Sequence, residues 1–171
     1  MPDYKKHPSH SISLLVENRP GALVRVALIF SRRGYNIDSL VVSPTPDDRF
    51  ARMNIVARGN PDALGQIILQ LEKLIDVVHA TDHTGQELVE RELALIKINC
   101  NIKERGELLQ LVSHFKGFTV DMGLDSMIIQ ATGNSEKIDA LKRACNEYRV
   151  MEFIRTGKII MLRGLQETSK S

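Results

Sequence analysis

Two consecutive ferredoxin-like α+β domains are predicted, each built in the order βαββαβ. Three observations predict them. Four stretches place apolar residues at helical spacing, runs of two-residue alternation lie between them, and the order of the first half recurs in the second. A length of 171 residues suits one large or two small domains at roughly 100–200 residues per domain.

The first helix is marked by Leu23, Val26, Ala27 and Phe30, and the second by Leu64, Ile67, Ile68 and Leu71. The third carries Leu108, Leu111, Val112 and Phe115; the fourth carries Ile138, Leu141 and Cys145 beside Ala144. Asn60-Pro61-Asp62 places a capping side chain before a helix-starting proline and an acid in the first turn, and Asn134-Ser135-Glu136 reads the same way without the proline. Ile12, Leu14 and Val16 alternate with Ser11, Ser13 and Leu15, and Ala51, Met53, Ile55 and Ala57 alternate with Arg52, Asn54, Val56 and Arg58. That period of two puts one set on a buried sheet face. Pro44-Thr45-Pro46-Asp47-Asp48 reads as the turn between two strands. Strands near Leu93–Cys100, Phe118–Gly123, Met127–Thr132 and Val150–Leu162 complete the repeat, with Gly157 predicting a bulge or break in the last. The predicted domains are residues 9–84 and 88–165. Thr84-Gly85-Gln86-Glu87 links them, and the polar tail from Gln166 to Ser171 should fray.

Apolar residues make up 43% and charged residues 26% of the chain, ordinary globular proportions that argue against disorder. The formal charge of +2 and the short Lys5-Lys6-His7 cluster do not make a nucleic-acid arm. No apolar run reaches the ~18 residues of a membrane span. Met1-Pro2-Asp3-Tyr4 forms no charged-then-apolar leader. The expected address is a reducing cytoplasm, or an organelle where a transit peptide has been trimmed. Cys100 and Cys145 fit no metal spacing and are read as buried thiols.

The loop Glu17-Asn18-Arg19-Pro20-Gly21-Ala22-Leu23 joins the first strand to the first helix. Pro20 is predicted at the first helical position. Gly21 allows close approach to the backbone. The first amides of the helix lack internal partners and, with the helix dipole, favour an anion by roughly 0.3–2 kcal/mol. Asn18 can both donate and accept. A second piece, Arg33-Gly34-Tyr35-Asn36-Ile37, ends the helix at Gly34 and opens the next strand. Spacing alone favours ordinary helix punctuation over a ligand site and does not select the anion.

The run from Leu14 to Leu23 resembles the opening loop of ACT domains. Phe30-Ser31-Arg32-Arg33-Gly34-Tyr35-Asn36-Ile37-Asp38-Ser39-Leu40 narrows this to a family, the small regulatory subunits of acetolactate synthase (acetohydroxyacid synthase). Gln70–Val77 and Val89–Leu93 also match, and the resemblance covers nearly the whole chain. It implies regulation of branched-chain amino-acid synthesis rather than catalysis, with a large catalytic subunit as partner and a homodimer formed by ACT domains whose sheets join. It further implies valine bound at the dimer seam, with leucine and isoleucine binding weakly. Asn18, Gly21, Ala22 and Leu23 would come from one chain, and Asn36 and Ile37 from the other. The amides of Gly21, Ala22 and Leu23 would hold the carboxylate, the two asparagines the polar end, and Leu23 and Ile37 the side chain.

Thiamine diphosphate, Mg and FAD are expected on the large subunit and none on this chain. The loop Asn101–Gly106 departs from the effector pattern, so no second valine site is expected there. His79 and His83 would share a strand face but stand ~13 Å apart, too far for one metal. Arg32 and Arg33 complement the negative helix end. Arg52 and Arg58 lie on the outward strand face, facing solvent or a partner. A free-standing ACT sensor of another enzyme, or of transcription, is the alternative; no helix-turn-helix or basic recognition segment supports the latter.

Overall fold

The computed structural model describes residues 7–165 and 167–168. Of Lys5-Lys6-His7 only His7 falls within them, and of the tail beyond Leu165 only Glu167 and Thr168 do. Glu90–Gly157 forms one compact unit, and the chain before and after it forms the other.

The first unit runs β1 (Ser9–Glu17), α1 (Ala22–Arg32), β2 (Asn36–Pro44), β3 (Phe50–Arg58), α2 (Pro61–Leu71) and β4 (Val77–Asp82). Its sheet has the order β2-β3-β1-β4, antiparallel throughout. Ile12, Leu14 and Val16 of β1 and Ala51, Met53, Ile55 and Ala57 of β3 pack against Val26 and Phe30 of α1 and Ile67 and Leu71 of α2. This is the face that alternation predicts. Phe30 is wholly buried, which contributes about 1.5–3 kcal/mol. Asn60 caps α2 by accepting from the Asp62 amide at 3.0 Å. Gly34, at φ 71°, ends α1, and the Tyr35 amide reaches back to the Phe30 carbonyl at 3.0 Å, a Schellman closure.

The second unit carries β5 (Leu88–Asn99), α3 (Arg105–His114), β6 (Phe118–Met122), β7 (Ser126–Gly133), α4 (Ser135–Cys145) and β8 (Arg149–Arg155). Along β6-β7-β5-β8 its strands repeat the topology of the first sheet. Ile96, Ile98, Leu108, Met127, Ile129, Ile138 and Leu141 form its core. Both cysteines are free and buried, as their apolar setting predicts. Burial pushes the Cys145 thiol up to about 11, so it stays protonated and unreactive at neutral pH.

The predicted last strand breaks around Gly157. β8 stops at Arg155, and β9 (Ile159–Leu162) returns the chain to the first unit. The compact second unit therefore ends short of the predicted boundary at residue 165. The returning segment also explains a departure from simple alternation at Ser13 and Leu15, which are buried although they point away from the helices. Ser13 donates to the Thr168 carbonyl at 3.0 Å, and His83 Nε2 lies 3.1 Å from that oxygen and 2.7 Å from Ser13 Oγ. Thr168 Oγ1 accepts from the Leu162 amide at 2.9 Å. A tail read from polarity as frayed is thus pinned, at Thr168, over the helix-free face.

Ser13→Ala should lower stability by about 1 kcal/mol in chemical denaturation and speed exchange of the Leu162 amide. Unchanged exchange there would show that Ser13 does not hold the strap.

Candidate functional site at the β1–α1 turn

The sequence places Pro20 at the first helical position; the structure places it earlier. Arg19-Pro20-Gly21-Ala22 is a type II turn, with Gly21 at φ 88°, ψ −14° and the Ala22 amide donating to the Arg19 carbonyl at 3.4 Å. Proline suits the second corner of such a turn and glycine the third, where positive φ is required. Helix α1 begins only at Ala22, and no side chain caps it. The amides of Gly21, Leu23 and Val24 have no hydrogen-bond partner among the described residues. Ala22 differs: its amide closes the turn and its side chain is buried, whereas Leu23 is 42% exposed.

Asn18 donates from its amide nitrogen to the Asp48 carbonyl at 3.0 Å, and its backbone donates to the Arg49 carbonyl at 2.8 Å. It thereby ties the turn to the β2–β3 loop and keeps its side-chain oxygen as an acceptor.

Three further residues shape the site and escaped the sequence reading: Asp76, Arg19 and Arg25. Asp76, just before β4, is fully buried. Its carboxylate accepts from Arg19 Nε at 2.5 Å and from Arg25 Nε. Its carbonyl accepts from the Glu17 amide at 2.8 Å. The bond from Arg25, then that from Arg19, holds the Asp76 carboxyl below its ordinary range against the opposing effect of burial. Arg25 also covers the turn: a Cβ on Gly21 would sit 2.9 Å from its Nη1. Gly21 is required by its dihedral, while a side chain there would only displace the flexible end of Arg25. Arg25, four residues past Gly21, is visible on a helical reading, but Asp76 lies 51 positions further on and no local signal connects them.

Asn36 and Ile37 lie elsewhere. Asn36 pairs with Arg58 in the register, level with Ser9, whereas Glu17 pairs with Phe50. Eight strand steps separate Ser9 from Glu17, roughly 26 Å. Within one chain the two predicted pieces stand at opposite ends of α1 and cannot hold one small ligand. Asn36 is exposed at the start of edge strand β2 and donates to Asp38 Oδ1 at 2.7 Å; Ile37 packs partly against the core.

Residues 12–79 match the family described as an AHAS small subunit-like ACT domain, and residues 91–164 match that described as the small subunit of acetolactate synthase. The chain is 43% identical over 155 residues to a probable acetolactate synthase small subunit of Archaeoglobus fulgidus, spanning 91% of this chain and 97% of that one. The chain belongs to the acetolactate synthase small-subunit family. The acetolactate synthase small subunit of Mycolicibacterium smegmatis is 41% identical over 92% of each chain. The crystal structure of the acetolactate synthase small subunit of Thermotoga maritima superposes with a TM-score of 0.85 at 35% identity, covering 93% of this chain and 99% of that one. The fold of the family is thus shared along the chain, and its second match runs past Gly157 into the returning strap.

The equivalent loop of the second unit is built differently. Asn101 Oδ1 accepts from the amides of Lys103 at 2.8 Å and Glu104 at 3.2 Å, and Glu104 accepts from the Asn101 amide at 2.8 Å. Its own side chains thus hold the amides that precede α3. His79 is half-buried on β4, while His83 lies past the strand end, bonded to the strap and 3.0 Å from Gln86. Among the described residues no three metal-ligating side chains gather, and no helix is long and apolar enough to cross a membrane.

The depressed Asp76 carboxyl sets the sign of an acid effect. Its contribution is complete above about pH 4, the unfolded value, and is lost as pH falls through the lower folded value. Asp76→Asn should therefore be less stable than the parent near neutrality, with the gap narrowing as pH falls below about 4. A gap independent of pH in denaturation curves would remove the ion cluster from this account.

Proposed function

We propose that this chain is the non-catalytic regulatory subunit of acetolactate synthase, which assembles with the catalytic large subunit and makes it sensitive to valine. The observation that carries the reading is the uncapped start of α1: unpartnered amides of Gly21, Leu23 and Val24 beneath the Arg25 guanidinium. This is a carboxylate-binding arrangement in which the amides and the dipole act together. The names of the relatives supply the assembly, and on this reading thiamine diphosphate, Mg and FAD chemistry falls to the large subunit.

The site is completed by a second copy. Strand β2 lies at a sheet edge, and α1 exposes Leu23, Val24 and Leu28. An unpaired edge and an apolar helix stripe together favour lateral pairing of two first units. Such pairing brings Asn36 and Ile37 of one chain toward the Gly21 turn of the other, which the ~26 Å separation within a chain forbids. Asn18 and the partner's polar contacts take the ammonium, and Leu23 with Ile37 of the partner subunit takes the isopropyl group. One methylene changes such a pocket by about 1–3 kcal/mol, so leucine and isoleucine bind less well without being excluded. Affinity in the micromolar-to-millimolar range, about −8 to −4 kcal/mol, suits a metabolite sensor.

In the empty state the dimer supports the large subunit; valine at the seam alters that packing. Coupling of about 1–3 kcal/mol corresponds to roughly 5–150-fold. By reciprocity, whatever valine removes from subunit association, association removes from valine binding.

Reconstitution with the large subunit and titration with each branched-chain amino acid tests the whole reading. Gly21→Asp should abolish valine inhibition, because its carboxylate lands against Arg25 and blocks the turn. Asn36→Ala should weaken valine binding. A mixed dimer of one Gly21→Asp chain and one Asn36→Ala chain should regain one intact site of two. A mixed dimer as insensitive as Gly21→Asp alone would place both residues on the same chain's site and end the proposal.

A further inference from the structure

The helix-free face of the first sheet carries a cavity of about 340 Å³, within the range of small-molecule sites. Leu15, Phe50, Val78 and Pro46 give it apolar walls. Arg52 enters from β3, directly across from Leu15 in the register. Its Nε is buried and has no hydrogen-bond partner. That nitrogen is free to donate to an acceptor entering the cavity.

Glu167 lines the same cavity from the returning strap. Its neighbour Thr168 is held by Ser13 and His83, which fixes where the strap crosses. Arg52 and Glu167 share the cavity, yet no ion pair joins them. The third charged wall, Asp47, is already neutralised by Arg49 at 2.6 Å. One cation and one anion thus line a largely apolar cavity without pairing with each other. That is the complement of a zwitterion with an apolar side chain.

We propose that this cavity is a second amino-acid site, taking a bulky apolar amino acid with its carboxylate on Arg52 and its ammonium on Glu167. It is distinct from the Gly21 turn, because Arg52 and Leu15 face away from α1. The two places are connected by one loop. Asp47 lines the cavity, while Asn18 grips the carbonyls of Asp48 and Arg49 in the same loop. Filling the cavity therefore bears on the loop that positions Asn18, a route for coupling between the sites.

The test uses the full chain and L-phenylalanine as probe in calorimetry, with 3-phenylpropanoate and phenylalaninamide as analogues lacking one charge each. Phenylalanine should bind saturably, and both analogues more weakly. Arg52→Gln should weaken phenylalanine about tenfold or more, the size of a lost charge-assisted bond. Glu167→Gln, on the exposed strap and without consequence for the core, should remove the preference for phenylalanine over 3-phenylpropanoate. Gly21→Asp should leave phenylalanine binding in place. Absence of saturable binding, unchanged affinity in both Arg52→Gln and Glu167→Gln, or loss of binding in Gly21→Asp would each overturn the second site.

Discussion

A single buried carboxylate organises the β1–α1 end of the first unit. Asp76 is fully removed from solvent, and an ionised group in that position persists only when paired. Its two partners come from different elements, Arg19 from the type II turn and Arg25 from the first full turn of α1. The chain before β4, the turn and the helix must therefore assemble together. That assembly sets the geometry of the turn: Gly21 in a left-handed conformation, Arg25 lying over it, and an α1 start that no side chain caps.

The sheet has two faces with different covers. Helices α1 and α2 seal one by ordinary apolar packing. The other is crossed by the chain returning from the second unit, through polar bonds among Ser13, His83 and Thr168. Polar fastening leaves space beside it, and the cavity around Arg52 is that space. The β2–β3 loop both bonds to Asn18 and lines this cavity.

Much of this was legible in the residues. The period of two in β1 and β3 and the period near four in the helices identified the core face and the repeated order. Asn60 and Asn134 marked the helix starts they cap, and Gly34 the stop. The Gly21 turn stood out through the family motif from Leu14 to Leu23, since Pro-Gly by itself is ordinary punctuation. Its detailed geometry did not: Pro-Gly can open a helix or occupy the corners of a type II turn, and the choice depends on where Arg19 is held. Burial of Ser13 and Leu15 was likewise hidden, because alternation cannot register a cover supplied from the far end of the chain.

Taken alone, the amino-acid order determined the two βαββαβ units, their cores and the family, since these rest on local periodicity and on a long contiguous motif. The fold decided which distant groups meet: Asp76 with Arg19 and Arg25, Thr168 with Ser13 and His83, and the separation of Asn36 from Gly21 across the length of the sheet. Strand register and chain return bring residues far apart in the sequence into contact and so create these meetings, and no short-range pattern encodes them.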